Sequence, residues 1–171
     1  PVMTIYTKSG QQVPMDQRPL DGRRDILRYT SPPLSEALEV VGPVSVILHA
    51  ASSAPDTDFI AKLVDVHPDG FVQELCYGPI RARHRNGTDR TDLITPGEVY
   101  EYTITLNPTG NCFMPGHRIR VDIQSSDFPN FDRNHNTGGD DYFESTLATA
   151  HQTVFHDSVR PSHVLLPIVA S

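Results

Sequence analysis

The chain has 171 residues and a formal net charge of −7, the size of one domain able to bury a core without disulfide or metal staples. That acidic balance argues against nucleic-acid and anionic-membrane partners, which are held by basic patches, and no apolar run approaches the roughly 18 residues of a membrane span. Fifteen prolines and eleven glycines punctuate short apolar runs instead of forming a low-complexity block, so the chain reads as folded and all-β.

In chain order, a first strand is predicted over residues 2–7, followed by a polar loop over 10–24. A short strand at 26–30 stops at Ser31-Pro32-Pro33, because proline cannot donate to a ladder. At 44–51, Val44, Val46, Leu48 and Ala50 share one face while Ser45 and His49 take the other. Residues 58–67 form an apolar strand interrupted by Lys62 and Asp65, and Pro68-Asp69-Gly70 turns it into 71–76 as a hairpin. Strands at 80–85 and 98–106 follow, the second with Tyr100, Tyr102, Ile104 and Leu106 alternating with Glu101, Thr103 and Thr105. Asn86-Gly87-Thr88 fits a glycosylation sequon, but Asn-Gly is a strong turn signal and is read as a turn.

After Pro115-Gly116, Ile119, Val121 and Ile123 alternate with Arg118, Arg120, Asp122 and Gln124, giving a half-buried strand at 117–125. A helix start signal occurs at 141–149, with Asp141 as N-cap, Glu144 three residues on, and Phe143 and Leu147 on one face, enough for one or two turns. Strands at 151–156 and 163–168 complete the set. Short strands at this spacing predict a two-sheet sandwich, and periodicity does not separate jelly roll from immunoglobulin-like topology.

The two cysteines are too few for a disulfide framework, and Cys76, within a strand-like run, is expected to be a buried inert thiol. The sequence starts PVMTIY, with no initiator methionine, basic region or apolar export segment, and is read as part of a longer polypeptide, the cytoplasm being the favoured compartment.

The string PGHRIRVDIQSSDFPNFDRNHNTGGD at 115–140 is more specific than turn chemistry requires. It resembles the C-terminal β-domain of the cocaine-esterase and X-Pro dipeptidyl-peptidase family of serine hydrolases. The resemblance continues, in order, through MDQRP at 15–19, RRDILRYTSPPL at 23–34, the stretch 39–70, PGEVYEYTI at 96–104 and TVFHDSVRPSHVLLPI at 153–168. It implies a jelly-roll, galactose-binding-like sandwich filling residues 1–171 as a single domain. It also implies an α/β-hydrolase catalytic domain in the same polypeptide, carrying the Ser-His-Asp triad and acting on a small ester or amide substrate. This domain would pack on it, wall one side of the substrate cleft and contribute homodimer contacts.

The residues agree that the catalytic machinery lies elsewhere, and the chain by itself is expected to be inactive. No G-x-S-x-G elbow occurs. Ser158, His156 and Asp157 are near in sequence, but strand neighbours point to opposite faces. The eight histidines contain no H-x-H pair of the cupin kind, so neither metal nor cofactor is expected. In the loop 127–140, Phe128 and Phe131 beside Arg133, Asn134 and Asn136 are read as loop anchors and an interdomain contact, in preference to a sugar-stacking platform. Tyr6, in the Ile5-Tyr6-Thr7 stretch, is the residue that the resemblance assigns to the substrate-pocket wall. The alternatives are a freestanding carbohydrate-binding-type sandwich, disfavoured by the absence of tryptophan, and a freestanding protein-interaction sandwich.

Overall fold

The computed structural model describes residues 16–169 in full and residues 4–6 and 12–14 as backbone. The strands are β1 (Thr4–Tyr6), β2 (Gln12–Pro14), β3 (Leu27–Thr30), β4 (Leu38–Gly42), β5 (Ser45–Ser52), β6 (Asp58–Val66), β7 (Val72–Arg81), β8 (Tyr100–Thr105), β9 (Thr109–Phe113), β10 (Arg118–Gln124), β11 (Gln152–Phe155) and β12 (His163–Leu165). One sheet has the order β3-β10-β6-β7; the other is built on β5, which pairs with β8 along one edge and with β11 and β12 along the other. Ribbons β1-β2 and β4-β9 are added to these, and every named pairing is antiparallel. The chain crosses from one sheet to the other between β5 and β6 and again between β7 and β8. This is an all-β sandwich of antiparallel sheets, as the sequence predicts.

The apolar core lies between the two sheets. Val46, Leu48 and Ala50 of β5 and Tyr102 and Ile104 of β8 face Phe59, Ala61 and Leu63 of β6 and Val121 and Ile123 of β10. These are the alternating positions legible in the sequence. Phe59 and Tyr102 meet with ring centroids 4.9 Å apart, near the middle of this layer.

β7 is continuous where the sequence suggests two strands. Gly78-Pro79 does not interrupt it because β7 is an edge strand, so Pro79 leaves no interior ladder bond unmade. Gly78 is needed there for another reason: a Cβ at this position would lie 2.1 Å from the Thr105 carbonyl oxygen. A register shift between Leu63 and Val64 lets consecutive β7 residues, Leu75 and Cys76, both reach the core. Burial pushes the Cys76 thiol up to about 12, so at neutral pH it carries almost no nucleophilic thiolate. A thiol reagent at mildly alkaline pH is therefore expected to modify exposed Cys112 and to spare Cys76 until the fold is denatured. Peptide mapping would show the order, and equal labelling of the two thiols would contradict it.

Further sequence expectations change. β2 falls within the predicted loop 10–24. β4 and β9 are strands that the sequence does not signal: each buries a single fully enclosed side chain, Val40 and Phe113, too little to give a period. The strand β10 is buried on both faces, since Arg120, Asp122 and Gln124 are as enclosed as Val121 and Ile123. The expected helix at 141–149 is only a turn over 141–143. Its cap is Asp140, whose carboxylate accepts from the Tyr142 N–H at 3.0 Å. Asp141 is engaged elsewhere, and Phe143 and Leu147 point away from this domain's core into solvent.

Candidate functional site

The outer face of the β3-β10-β6-β7 sheet is a buried ionic layer. On β6, Lys62 is enclosed and places its Nζ 2.9 Å from Glu74 of β7 and 2.8 Å from Asp127, just beyond β10. Burial works against the charge of Lys62, but the two carboxylates outweigh it and hold its pKa above the ordinary lysine value. On β10, the Arg120 guanidinium lies 2.8 Å from Asp122 and 3.4 Å from Asp21 in the segment before β3. Loops lie over this face, and the charges beneath fasten them.

The longest of these loops runs between β10 and β11. Its first limb is held by Asp127, which accepts from Gln124 Nε2 at 2.9 Å, from Asn130 Nδ2 at 3.0 Å and from Lys62. Its centre is held by a cluster drawn from the start of β6 and the end of β7. Asp56, with no exposed surface, accepts from Arg83 Nε at 2.6 Å and from Asn134 Nδ2 at 2.6 Å. Asp58 accepts from Arg81 Nε at 2.9 Å and from Asn134 Nδ2 at 2.9 Å. Arg81 reaches on to Asp141 at 3.1 Å, and Arg83 donates to the Gly139 carbonyl at 2.8 Å. The hydrogen bonds and charge of Asp58 hold Arg81 protonated beyond the ordinary arginine range.

Asn134 is thus a buried pin linking two aspartates, and Asn136 shapes the backbone that follows. Asn136 has φ +62°, a left-handed conformation that asparagine tolerates better than most residues. Its N–H donates to Asn134 Oδ1 at 2.8 Å and its Nδ2 to the Ala148 carbonyl at 2.9 Å. Phe131 is half-buried with its ring 5.8 Å from Tyr77. The outward surface belongs to other residues. Phe128 is 65% exposed, Tyr142 83% and Phe143 90%, and the Arg133 guanidinium lies over the Phe128 ring at 5.4 Å. Beside the loop a cleft of about 470 Å³ opens, lined by Leu27, Ile123, Arg133, Asn136, Leu147 and His151.

Residues 6–165 match the X-Pro dipeptidyl-peptidase C-terminal non-catalytic domain. The chain belongs to that family. As an X-Pro dipeptidyl-peptidase C-terminal domain it is 45% identical over 168 residues to cocaine esterase of a Rhodococcus species, covering 97% of this chain and 29% of that enzyme. An aminopeptidase from a Thaumarchaeota archaeon superposes with a TM-score of 0.89 at 33% identity, over 94% of this chain and 28% of that one. An α-amino acid ester hydrolase superposes with a TM-score of 0.88 at 32% identity, over 91% and 27%. The chain therefore spans less than a third of the length of these relatives, in which the domain is one part of a larger hydrolase polypeptide.

Within this family assignment the remaining sequence-predicted residues divide as follows. The side chain of Tyr6 lies outside the described residues. His156, Asp157 and Ser158 make no triad: Asp157 accepts from Arg160 at 2.7 Å, and His156 lies edge-on to Tyr29 at 5.9 Å. The anchoring roles of Arg81, Arg83, Asp56, Asp58 and Asp141, and the outward rings of Tyr142 and Phe143, were missed. Arg-Ala-Arg at 81–83 and Asp-Thr-Asp at 56–58 were visible as strings, but nothing local pairs them. They meet only because β6 and β7 place Asp58 opposite Arg81.

Proposed function

We propose that this chain is the C-terminal accessory domain of a serine hydrolase that cleaves ester or amide bonds. The triad belongs to an α/β-hydrolase domain of the same polypeptide, on which this domain docks and whose substrate cleft it walls. The supporting observation is the loop between β10 and β11: its underside is fixed by buried ion pairs while Phe128, Tyr142 and Phe143 stand in solvent. Ordering that many residues to display bare aromatic rings makes physical sense when another surface covers them.

Two measurements test this. A fluorophosphonate probe on the full-length protein is expected to label one serine outside residues 1–171. No labelling, or labelling within this segment, would overturn the hydrolase reading. The docking reading is tested by Tyr142→Ser with Phe143→Ser. Deleting two rings from an interface is expected to weaken docking by about 1.5–3 kcal/mol per ring, read as lower kcat/KM and earlier separation of the domains on heating. This domain's own fold should persist, since neither ring touches its core. Unchanged kinetics and unfolding would remove the loop from the interface. The pocket-wall role of Tyr6 stands on the same footing: Tyr6→Ala should shift KM or kcat of the full-length enzyme, and unaltered kinetics would discard it.

A further inference from the structure

Each buried carboxylate on the described residues but one is matched by a guanidinium or ammonium. Asp56 has Arg83, Asp58 has Arg81, Glu74 has Lys62 and Asp122 has Arg120. Asp65, at the end of β6, is the exception. It is buried, and its partners among the described residues are the amide of Asn111 at 3.2 Å and two imidazoles. His117 Nδ1 lies 2.8 Å from Oδ1, and His67 Nε2 lies 3.8 Å from Oδ2. His67 Nε2 is itself enclosed and has no hydrogen-bond partner among the described residues. An enclosed anion and an orphaned ring nitrogen therefore face one another across a gap too long for a hydrogen bond.

We propose that Asp65, His67 and His117 form a binding site for a divalent first-row transition metal of the zinc class. One ligand atom from each residue lies within 4.8 Å of the others. A tetrahedral ion with bonds of about 2.0–2.1 Å separates its ligands by roughly 3.3 Å. The Asp65 carboxylate already spans both rings, with Oδ1 2.8 Å from His117 Nδ1 and Oδ2 3.8 Å from His67 Nε2, and an ion would draw one of these oxygens and the two ring nitrogens to that common spacing. Two imidazoles and one carboxylate favour zinc and its neighbours over calcium or magnesium, which prefer all-oxygen shells. The partly exposed His67 side chain leaves an approach for a water in the fourth position.

The topology explains why the three residues converge. Asp65 and His67 alternate along one strand direction, and His117 enters β10 where that strand pairs with the end of β6. His67 precedes the Pro68-Asp69-Gly70 turn and His117 follows the Pro115-Gly116 turn. The two turns touch: a Cβ on Gly116 would lie 3.3 Å from Pro68 Cγ. A bound ion would tie these turns and, through Asn111, β9 into one unit. The site is independent of the hydrolase reading.

The experiment uses full-length protein stripped with EDTA, and its His67→Gln and His117→Gln variants. The His67 side chain makes no hydrogen bond among the described residues, and its backbone bonds to Phe71 and Gly70 survive substitution, so His67→Gln should fold as the parent does. Calorimetric titration with Zn²⁺ alone is expected to show an equivalent in the parent that each variant loses or binds at least about tenfold more weakly. Zn²⁺ should raise the unfolding midpoint of the parent more than that of either variant. Co²⁺ should give the visible bands of a four-coordinate site in the parent only. Absence of saturable Zn²⁺ binding, or identical stoichiometry and affinity in the parent and both variants, would overturn the proposal.

Discussion

Arg83→Ala is expected to destabilise this domain by about 3–5 kcal/mol, the usual effect of removing one partner of a buried ion pair. Asp56 has no exposed surface and loses its 2.6 Å guanidinium contact, keeping only the Asn134 amide and the backbone N–H of residue 83. A loss of that size is a large share of a typical 5–15 kcal/mol folding free energy. The change should also show locally. Arg83 donates to the Gly139 carbonyl, so backbone amides across the loop from Asp127 to Ala150 should exchange faster than in the parent. Arg90→Ala is the control, because Arg90 is exposed and its contact with Asp89 is 3.7 Å long; its effect should stay within about 0.5 kcal/mol. Urea denaturation and hydrogen exchange would settle both points, and a stable, fully protected Arg83→Ala protein would refute the account of how the loop is fastened.

Lys62→Met should be comparably severe, again about 3–5 kcal/mol, for a related reason. One ammonium serves two enclosed carboxylates, so its removal leaves Glu74 and Asp127 facing each other uncompensated. Adding Glu74→Leu should recover much of the loss, because an apolar pair of similar volume fills the site without stranding the β7 charge. If the double variant is no better than Lys62→Met, uncompensated charge is not the cause and packing is. The sign of the pH response follows from the raised lysine pKa. The stabilisation is complete below the ordinary lysine value and is lost only as pH rises through the folded-state value, so it should be constant across neutral pH.

The apolar half of the fold was legible because it obeys a period. Val46, Leu48 and Ala50 alternate on β5, as do Tyr102 and Ile104 on β8, and each points to the core where the sequence predicts. The family was legible because its strings are long and in order. The ionic half was not. Lys62 read as an interruption of an apolar strand and Arg120 as a residue on a charged strand face. What encloses them, Asp127 and the segment around Asp21, comes from distant parts of the chain. The helix signal at 141–149 failed on a similar long-range fact, since Asp141 is drawn to Arg81 and cannot serve as a cap. The proposed Asp65, His67 and His117 site has no H-x-H spacing, and its third residue enters on another strand.

The ionic underlayer also bears on how readily this domain can change. The groups that hold the long loop sit beneath it, on β6, β7 and the residues that flank them, whereas the side chains of Tyr142, Phe143 and Leu147 on its outer side take no part in the fastening. Sequence drift or a directed-evolution library confined to those outer positions would vary the displayed surface while its mounting stays fixed. The domain is arranged as a socket with interchangeable fittings, which would let one sandwich accompany partner surfaces of different shape.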